Sequence, residues 1–133
     1  MNRLFVDTSA WFAYFNALDR DHTGVAAVLE EWGQRLLTTD YVFDELVTLC
    51  WYRAGHEAAC RAGEVLRAPG VAEVVTVTPA DVESAWTRFR RAADKQYSFT
   101  DCTSFAVMER LRIGVAAAVD ADFRRAGYRT LPT

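Results

Sequence analysis

The chain has 133 residues, 51% hydrophobic and 13% aromatic, with a formal net charge of -3. That is enough apolar material for one domain with a real core, spanning 1–133, and it excludes intrinsic disorder. No run of about 18 apolar residues marks a membrane span, and the N-terminus lacks the basic, apolar, small-residue order of a secretory signal, so a cytoplasmic location without a membrane partner is expected.

In chain order, Asn2 to Val6 reads as a buried strand running into a helix capped by Thr8 or Ser9. Trp11, Phe12, Tyr14, Phe15 and Leu18 cover much of that helix; its aromatics Trp11, Phe12, Tyr14 and Phe15 carry more bulk than one inward stripe requires, and any exposed remainder would mark an interface. Asp21 or Thr23 starts a second helix, with Val25, Val28, Leu29 and Trp32 at helical spacing and Gly33 as its stop. Leu36 to Thr39 is the second strand. From Asp40 the apolar positions Val42, Leu46, Leu49 and Cys50 recur at three and four residues up to Gly55, and this helix carries Glu45 and the pair Trp51-Tyr52. His56 to Arg67 continues as helix until Pro69-Gly70.

Val74 to Val77 is the third strand, and Thr78-Pro79 a capped helix start helped by Asp81 and Glu83, with Val82, Ala85, Trp86 and Phe89 as the inner stripe. Ser98 or Thr100 opens a helix with Phe105, Met108 and Leu111 inward, and Gly114 ends it. Val115 to Val119 is the fourth strand, Asp120 to Ala126 a short helical turn, and Tyr128 to Leu131 a fifth strand. Strands alternating with helices define an α/β protein with a mostly parallel central sheet of four to five strands and helices on both faces. Cys50, Cys60 and Cys102 have no Cys-x-x-Cys partner and read as small buried hydrophobes kept reduced.

Four carboxylates stand where the local pattern changes: Asp7 and Asp120 after strands, Asp101 at a helix start, Glu45 within a helix. An open parallel sheet presents ligands beyond the carboxyl ends of its strands. Acids gathered there repel one another by about 1 kcal/mol per pair at 5 Å in water, and more in a dry cleft, unless a hard cation such as Mg²⁺ or Mn²⁺ intervenes. Taken singly, Asp7, Asp101 and Asp120 can all be read as helix caps. Glu45, beside an apolar stripe and far from either helix end, cannot. Thr8, Ser9, Thr100, Thr103 and Ser104 flank these acids with hydroxyls of the kind that orient metal-binding carboxylates. Only His22 and His56 are present, neither near the acids, so zinc is not indicated. Basic residues cluster at Arg88, Arg90, Arg91 and Lys95, at Arg110 and Arg112, and at Arg124, Arg125 and Arg129. A negative pocket rimmed by such patches suits a phosphodiester, although each run also reads as a solvated helix face.

Val6-Asp7-Thr8-Ser9-Ala10-Trp11, Asp44-Glu45-Leu46, Ser98-Phe99-Thr100-Asp101-Cys102 and Val119-Asp120-Ala121-Asp122-Phe123 resemble, in order, the motifs of PIN-domain ribonucleases, specifically the VapC-type toxins of toxin-antitoxin modules. The resemblance spans essentially the whole chain. It implies a three-layer α/β/α fold and a Mg²⁺-dependent endoribonuclease, with Mn²⁺ a plausible substitute. Asp7, Glu45, Asp101 and Asp120 match the family's acidic quartet, with Asp7 and Asp101 as principal metal ligands; Thr8, Ser9, Thr100 and Ser104 match its supporting hydroxyls. Asp44 competes with Glu45 by register, and Asp122 with Asp120. Glu45 is preferred because it lies beside the apolar stripe and Asp120 because it follows the strand, which leaves Asp122 as a peripheral acid. The resemblance further implies an RNA substrate (tRNA, rRNA or mRNA), a homodimer and a cognate antitoxin. Rival readings are a housekeeping RNA-processing nuclease of the same fold, a phosphatase using Asp7, disfavoured because Ser9 stands where a second Asp is wanted, and a non-catalytic binding domain whose acids only cap helices.

Overall fold

A computed structural model describes residues 2–133. Among them the order of elements is β1 (Leu4–Val6), α1 (Thr8–Phe15), α2 (His22–Trp32), β2 (Leu36–Thr39), α3 (Asp40–Ala54), α4 (His56–Arg67), β3 (Glu73–Val75), α5 (Pro79–Arg91), α6 (Phe99–Leu111), β4 (Val115–Ala117), α7 (Asp122–Arg125) and β5 (Arg129–Leu131). The strands form one sheet in the order β3-β2-β1-β4-β5, and every pairing is parallel. Helices cover both faces, giving the three-layer α/β/α architecture. β1 is central, in register with Leu36 and Leu37 on one side and with Ala116 and Ala117 on the other. The chain therefore winds outward from β1 to β3, then crosses back to begin again at β4. The carboxyl ends of β1 and β4 flank this switch point, where the connections diverge and leave a crevice.

Leu4, Phe5 and Val6 are wholly buried, as an all-parallel strand covered on both faces must be. Phe5 stacks on Phe123, whose ring meets Phe105 edge-on at 4.9 Å, so sheet, α6 and α7 share one aromatic core. On the opposite side Trp11 is fully buried, and its indole N–H reaches Thr38 Oγ1, which in turn donates to the Val6 carbonyl at 2.9 Å.

Several element ends differ from the sequence expectation, each because a hydrogen bond is spent elsewhere. The cap of α1 is Asp7 itself, accepting from the Ser9 amide at 3.3 Å, in place of Thr8 or Ser9. β1 begins at Leu4, leaving Asn2 exposed. β3 ends at Val75 because the Val77 amide turns to Asp40 Oδ1 at 2.9 Å. β4 ends at Ala117; the Val119 amide donates to Ser9 Oγ, so Asp120 lies in a loop three residues past the strand. Asp120 Oδ1 accepts from the Asp122 amide, which confines α7 to Asp122–Arg125, and the Tyr128 amide bonds to Phe123 and stays outside β5. Ser98, with Asp101 at its third helical position, forms a complete capping box at α6. Its other end is turned by Arg112 at φ 57°, with the Ile113 amide on the Met108 carbonyl, so Gly114 is not the stop.

The inner stripe of α5 is also corrected. Asp81 and Ala85 are buried, whereas Trp86 and Phe89 are 50% and 40% exposed. Asp81 takes the inward slot because Arg110 of α6 grips it with two nitrogens, at 3.0 and 2.8 Å, and this grip holds the carboxyl below the usual carboxylate range. Leu111 is likewise partly exposed, and Cys60, expected inside, lies on the surface of α4 beside His56. No helix among the described residues is long and apolar enough to cross a membrane.

Candidate active site

The four acids reach the switch-point crevice from four elements. Asp7 follows β1, and its amide donates to Ala117 of β4 at 3.0 Å, which ties the two strand ends together. Its side chain is 2% exposed. Ser9 Oγ donates to Asp7 Oδ2 at 2.8 Å and accepts the Val119 amide at 3.2 Å, so one hydroxyl fixes the first carboxylate and the loop that carries Asp120. Asp7 Oδ1 is buried and has no hydrogen-bond partner; the same is true of Thr8 Oγ1 and Ser104 Oγ.

Burial and the facing charge of Asp101, with a smaller contribution from Asp120, push the Asp7 carboxyl up to about 8 against the hydrogen bond from Ser9. Burial likewise lifts Asp101 to about 6; the Ser98 amide opposes this, and Asp120, Asp122 and Glu45 add to it. Asp120 is raised by the protein around it and by Asp122 and Glu45. These mutual influences show that the acids share one electrostatic environment despite sequence separations of up to 113 residues. Glu45 is half-buried and acts on both Asp101 and Asp120, while Asp44 faces solvent and influences neither. Asp122 lies within reach of the cluster and is paired with Arg125 at 3.6 Å.

Of the expected hydroxyls, Ser9 bonds directly to Asp7, those of Thr8 and Ser104 are buried without a partner, and Thr100 offers its carbonyl to Thr103 Oγ1 at 2.7 Å. His22 packs against the Ala13 carbonyl and His56 lies on α4, both away from the acids. Asp7 caps α1, as one reading of its sequence position allowed; what local pattern did not supply is the Ser9 hydroxyl that links it to the Val119 amide.

Capping and clustering coexist here, and the number of oxygens separates them. Caps use one oxygen of Asp7 and one of Asp101, and the second oxygen of Asp7 remains buried and unsatisfied. A buried acceptor without a partner costs about 1–3 kcal/mol, more when charged, so capping alone leaves this arrangement unexplained. Among the described residues no group of three or more His, Cys, Asp or Glu side chains is placed to hold a metal ion. Magnesium does not need such a group: it binds through one or two carboxylates and keeps waters or substrate phosphate oxygens for the rest. An all-oxygen donor set, an orphaned carboxylate oxygen and carboxyls held above their usual range together fit a hard divalent cation and do not fit zinc.

An acidic crevice with an all-oxygen donor set thus stands at the switch point of a five-stranded parallel α/β/α sheet. Residues 4–128 match the PIN domain family. The 23S rRNA-specific endonuclease VapC20 of Mycobacterium tuberculosis is 41% identical over 128 residues, covering 94% of this chain and 95% of that protein. Ribonuclease VapC26 of the same organism is 27% identical over 117 residues, covering 88% and 86%. The crystal structure of VapC20, described as a sarcin-ricin loop cleaving toxin, superposes with a TM-score of 0.88 at 39% identity over 94% of this chain and 95% of that one. VapBC2 from Rickettsia felis, at 10% identity, covers 96% of both chains with a TM-score of 0.72 and shares the fold. The chain belongs to the PIN-domain family, as a ribonuclease toxin of the VapC type.

Proposed function

We propose that this protein is a divalent-metal-dependent endoribonuclease that cuts 23S rRNA at the sarcin-ricin loop and acts in the cytoplasm as the toxin of a toxin-antitoxin pair. The observation that supports the metal dependence is the orphaned, buried oxygen of Asp7, in a carboxyl that feels the charge of Asp101. The substrate reading is supported by the 41% identity to a 23S rRNA-specific endonuclease over nearly the whole of both chains.

In this reading Asp7 and Asp101 are the principal ligands of the ion, Asp120 completes the site and Glu45 holds a second ion directly or through water. Ser9 keeps Asp7 in position through its 2.8 Å hydrogen bond, and the unpartnered hydroxyls of Thr8 and Ser104 orient water. Asp122 serves at the periphery, and Thr100 lies in the first turn of α6. When bound, Mg²⁺, with Mn²⁺ as substitute, acidifies the attacking water and neutralises charge on the leaving oxygen. The carboxylates also exclude phosphate unless a cation is present, which couples substrate entry to metal loading.

The partners are a cognate antitoxin and a second copy of this chain in a homodimer. Trp51 and Tyr52 of α3, 57% and 80% exposed, and the exposed pair Trp86 and Phe89 of α5 are apolar surfaces suited to such contacts. Concentration-independent monomeric scattering counts against the dimer.

The test is to incubate wild type and Asp101→Asn with ribosomes and with total RNA, with and without Mg²⁺, and map new 5′ ends. One Mg²⁺-dependent end in 23S rRNA, absent with the variant, is expected. Equal cleavage by the variant, or cleavage in EDTA, contradicts the assignment. Growth arrest on induced expression separates a toxin from a housekeeping nuclease.

A further inference from the structure

A concavity of about 550 Å³ lies beside the acid cluster, between the α5–α6 hairpin and α7. Its rim carries Arg88, Arg91, Lys95 and Arg125, set against a single carboxylate, Glu109. For a protein of net charge -3 this is a local reversal of sign. The floor is apolar and low: Ala92, Ala106 and Ala126 leave the groove open, with the buried Cys102 beneath.

Two links join this groove to the acids. Cys102 is the neighbour of Asp101 on α6, and its thiol feels both the Asp101 carboxylate and the Arg88 guanidinium. Arg125 lines the groove, stands 3.6 Å from Asp122 and exerts its charge on Asp120. It therefore occupies the border between the two sites. The four cations are not equivalent. Arg88 is committed to the fold, with its guanidinium 4.5 Å above the Phe105 ring and its charge acting on the Tyr128 hydroxyl. Arg91 and Lys95 are exposed, and Lys95 has only a loose 3.4 Å contact with the adjacent Asp94.

We propose that this groove is the subsite that holds the RNA strand on one side of the scissile bond, with Arg125 on the flanking phosphate and Arg91 and Lys95 on phosphates farther out. The inference rests on the ribonuclease reading and adds to it the direction in which substrate leaves the acid cluster. A strand with one negative charge per residue and flat apolar bases between charges matches cations on a rim above a shallow floor of alanines. A strand over four carboxylates also needs attractive contacts nearby, since the acids alone repel it. The volume lies in the range of ligand pockets, sufficient for nucleotide-sized groups.

The test uses full-length Asp101→Asn protein as the parent, so that binding is read without cleavage, and a fluorescein-labelled RNA carrying the sarcin-ricin hairpin with its flanking single strands. Adding Arg91→Gln and Lys95→Gln together is expected to weaken binding at least tenfold at 0.1 M salt. It should also flatten the slope of log affinity against log salt by about 1.4, for two single-strand phosphate contacts. In the cleavage-competent protein the same pair should raise KM more than it lowers kcat. Arg61→Gln with Arg67→Gln, on α4 outside the groove, should leave both unchanged. If the parent binds RNA and the wild type cleaves it while the Arg91/Lys95 variant behaves as the parent does, the groove assignment falls and the ribonuclease reading stands. If the parent binds no RNA, both fall. If the variant loses affinity for poly-L-glutamate but keeps it for RNA, the groove belongs to an acidic protein segment and the proposal is overturned.

Discussion

Replacing Asp7 by Asn isolates what its buried carboxylate is for. Asn keeps an acceptor oxygen for Ser9 and for the first turn of α1, but it carries no charge to desolvate. In the wild type the folded state holds the Asp7 proton up to about 8, against an ordinary value of 3.8 for the free side chain. Between those values the folded protein binds more protons than the unfolded chain, so stability without metal falls as pH rises, and the loss is complete above the folded-state value. A shift of that size corresponds to at most about 5–6 kcal/mol, of which water entry and local relaxation leave on the order of 2 kcal/mol. Asp101, raised to about 6, acts in the same direction over a narrower window. Asp7→Asn should therefore be more stable than wild type at pH 8 in EDTA, by ~5 °C in Tm, and equal to it near pH 4. Saturating Mn²⁺ should reverse the order at pH 8: a ligand at 100 times its Kd stabilises the wild type by about 2.7 kcal/mol and the variant by far less. Differential scanning fluorimetry over pH 4–8 with EDTA or MnCl₂ reads both effects. If Asp7→Asn is less stable at every pH and the two proteins respond equally to Mn²⁺, then Asp7 is a helix cap and holds no cation.

The same geometry fixes three further outcomes. Glu45→Gln should lower RNA cleavage at least tenfold while Asp44→Asn leaves it unchanged, because only Glu45 faces Asp101 and Asp120; quantitative primer extension measures the difference. Affinity for Mn²⁺, measured by calorimetry, should rise steeply from pH 6 to pH 8 as Asp101 and then Asp7 lose their protons to the metal. A flat profile would mean that neither carboxylate binds it. Arg110→Ala should cost about 1–3 kcal/mol in urea unfolding, since it leaves the buried Asp81 carboxylate without its charged partner.

The alternation of strands and helices was legible because each strand is a short apolar run bounded by turn or cap residues, and the positions of Asp7, Asp101 and Asp120 followed from that alternation. Glu45 was separable from Asp44 because an acid beside Val42, Leu46 and Leu49 must face inward and its neighbour outward. What escaped was decided by partners distant in sequence. Asp81 reads locally as a helix-start acid, and only Arg110, 29 residues later, makes it a buried clamp that turns Trp86 and Phe89 to the surface. The end of α6 falls to Arg112 rather than Gly114 because burying Ile113 against the core fixes where the turn must occur. Ser9 was expected as a cap and instead joins Asp7 to the loop after β4, a bridge over 110 residues that no local pattern encodes.

Whether one divalent ion joins Asp7 to Asp101 can be read from crystals of the wild type soaked in MnCl₂ and measured at the manganese absorption edge. An anomalous peak within coordination distance of both carboxylates, lost in Asp101→Asn crystals, is expected. Manganese bound elsewhere, or Asp7 Oδ1 satisfied by a protein donor with no metal near it, would mean that the acids gather for some other reason.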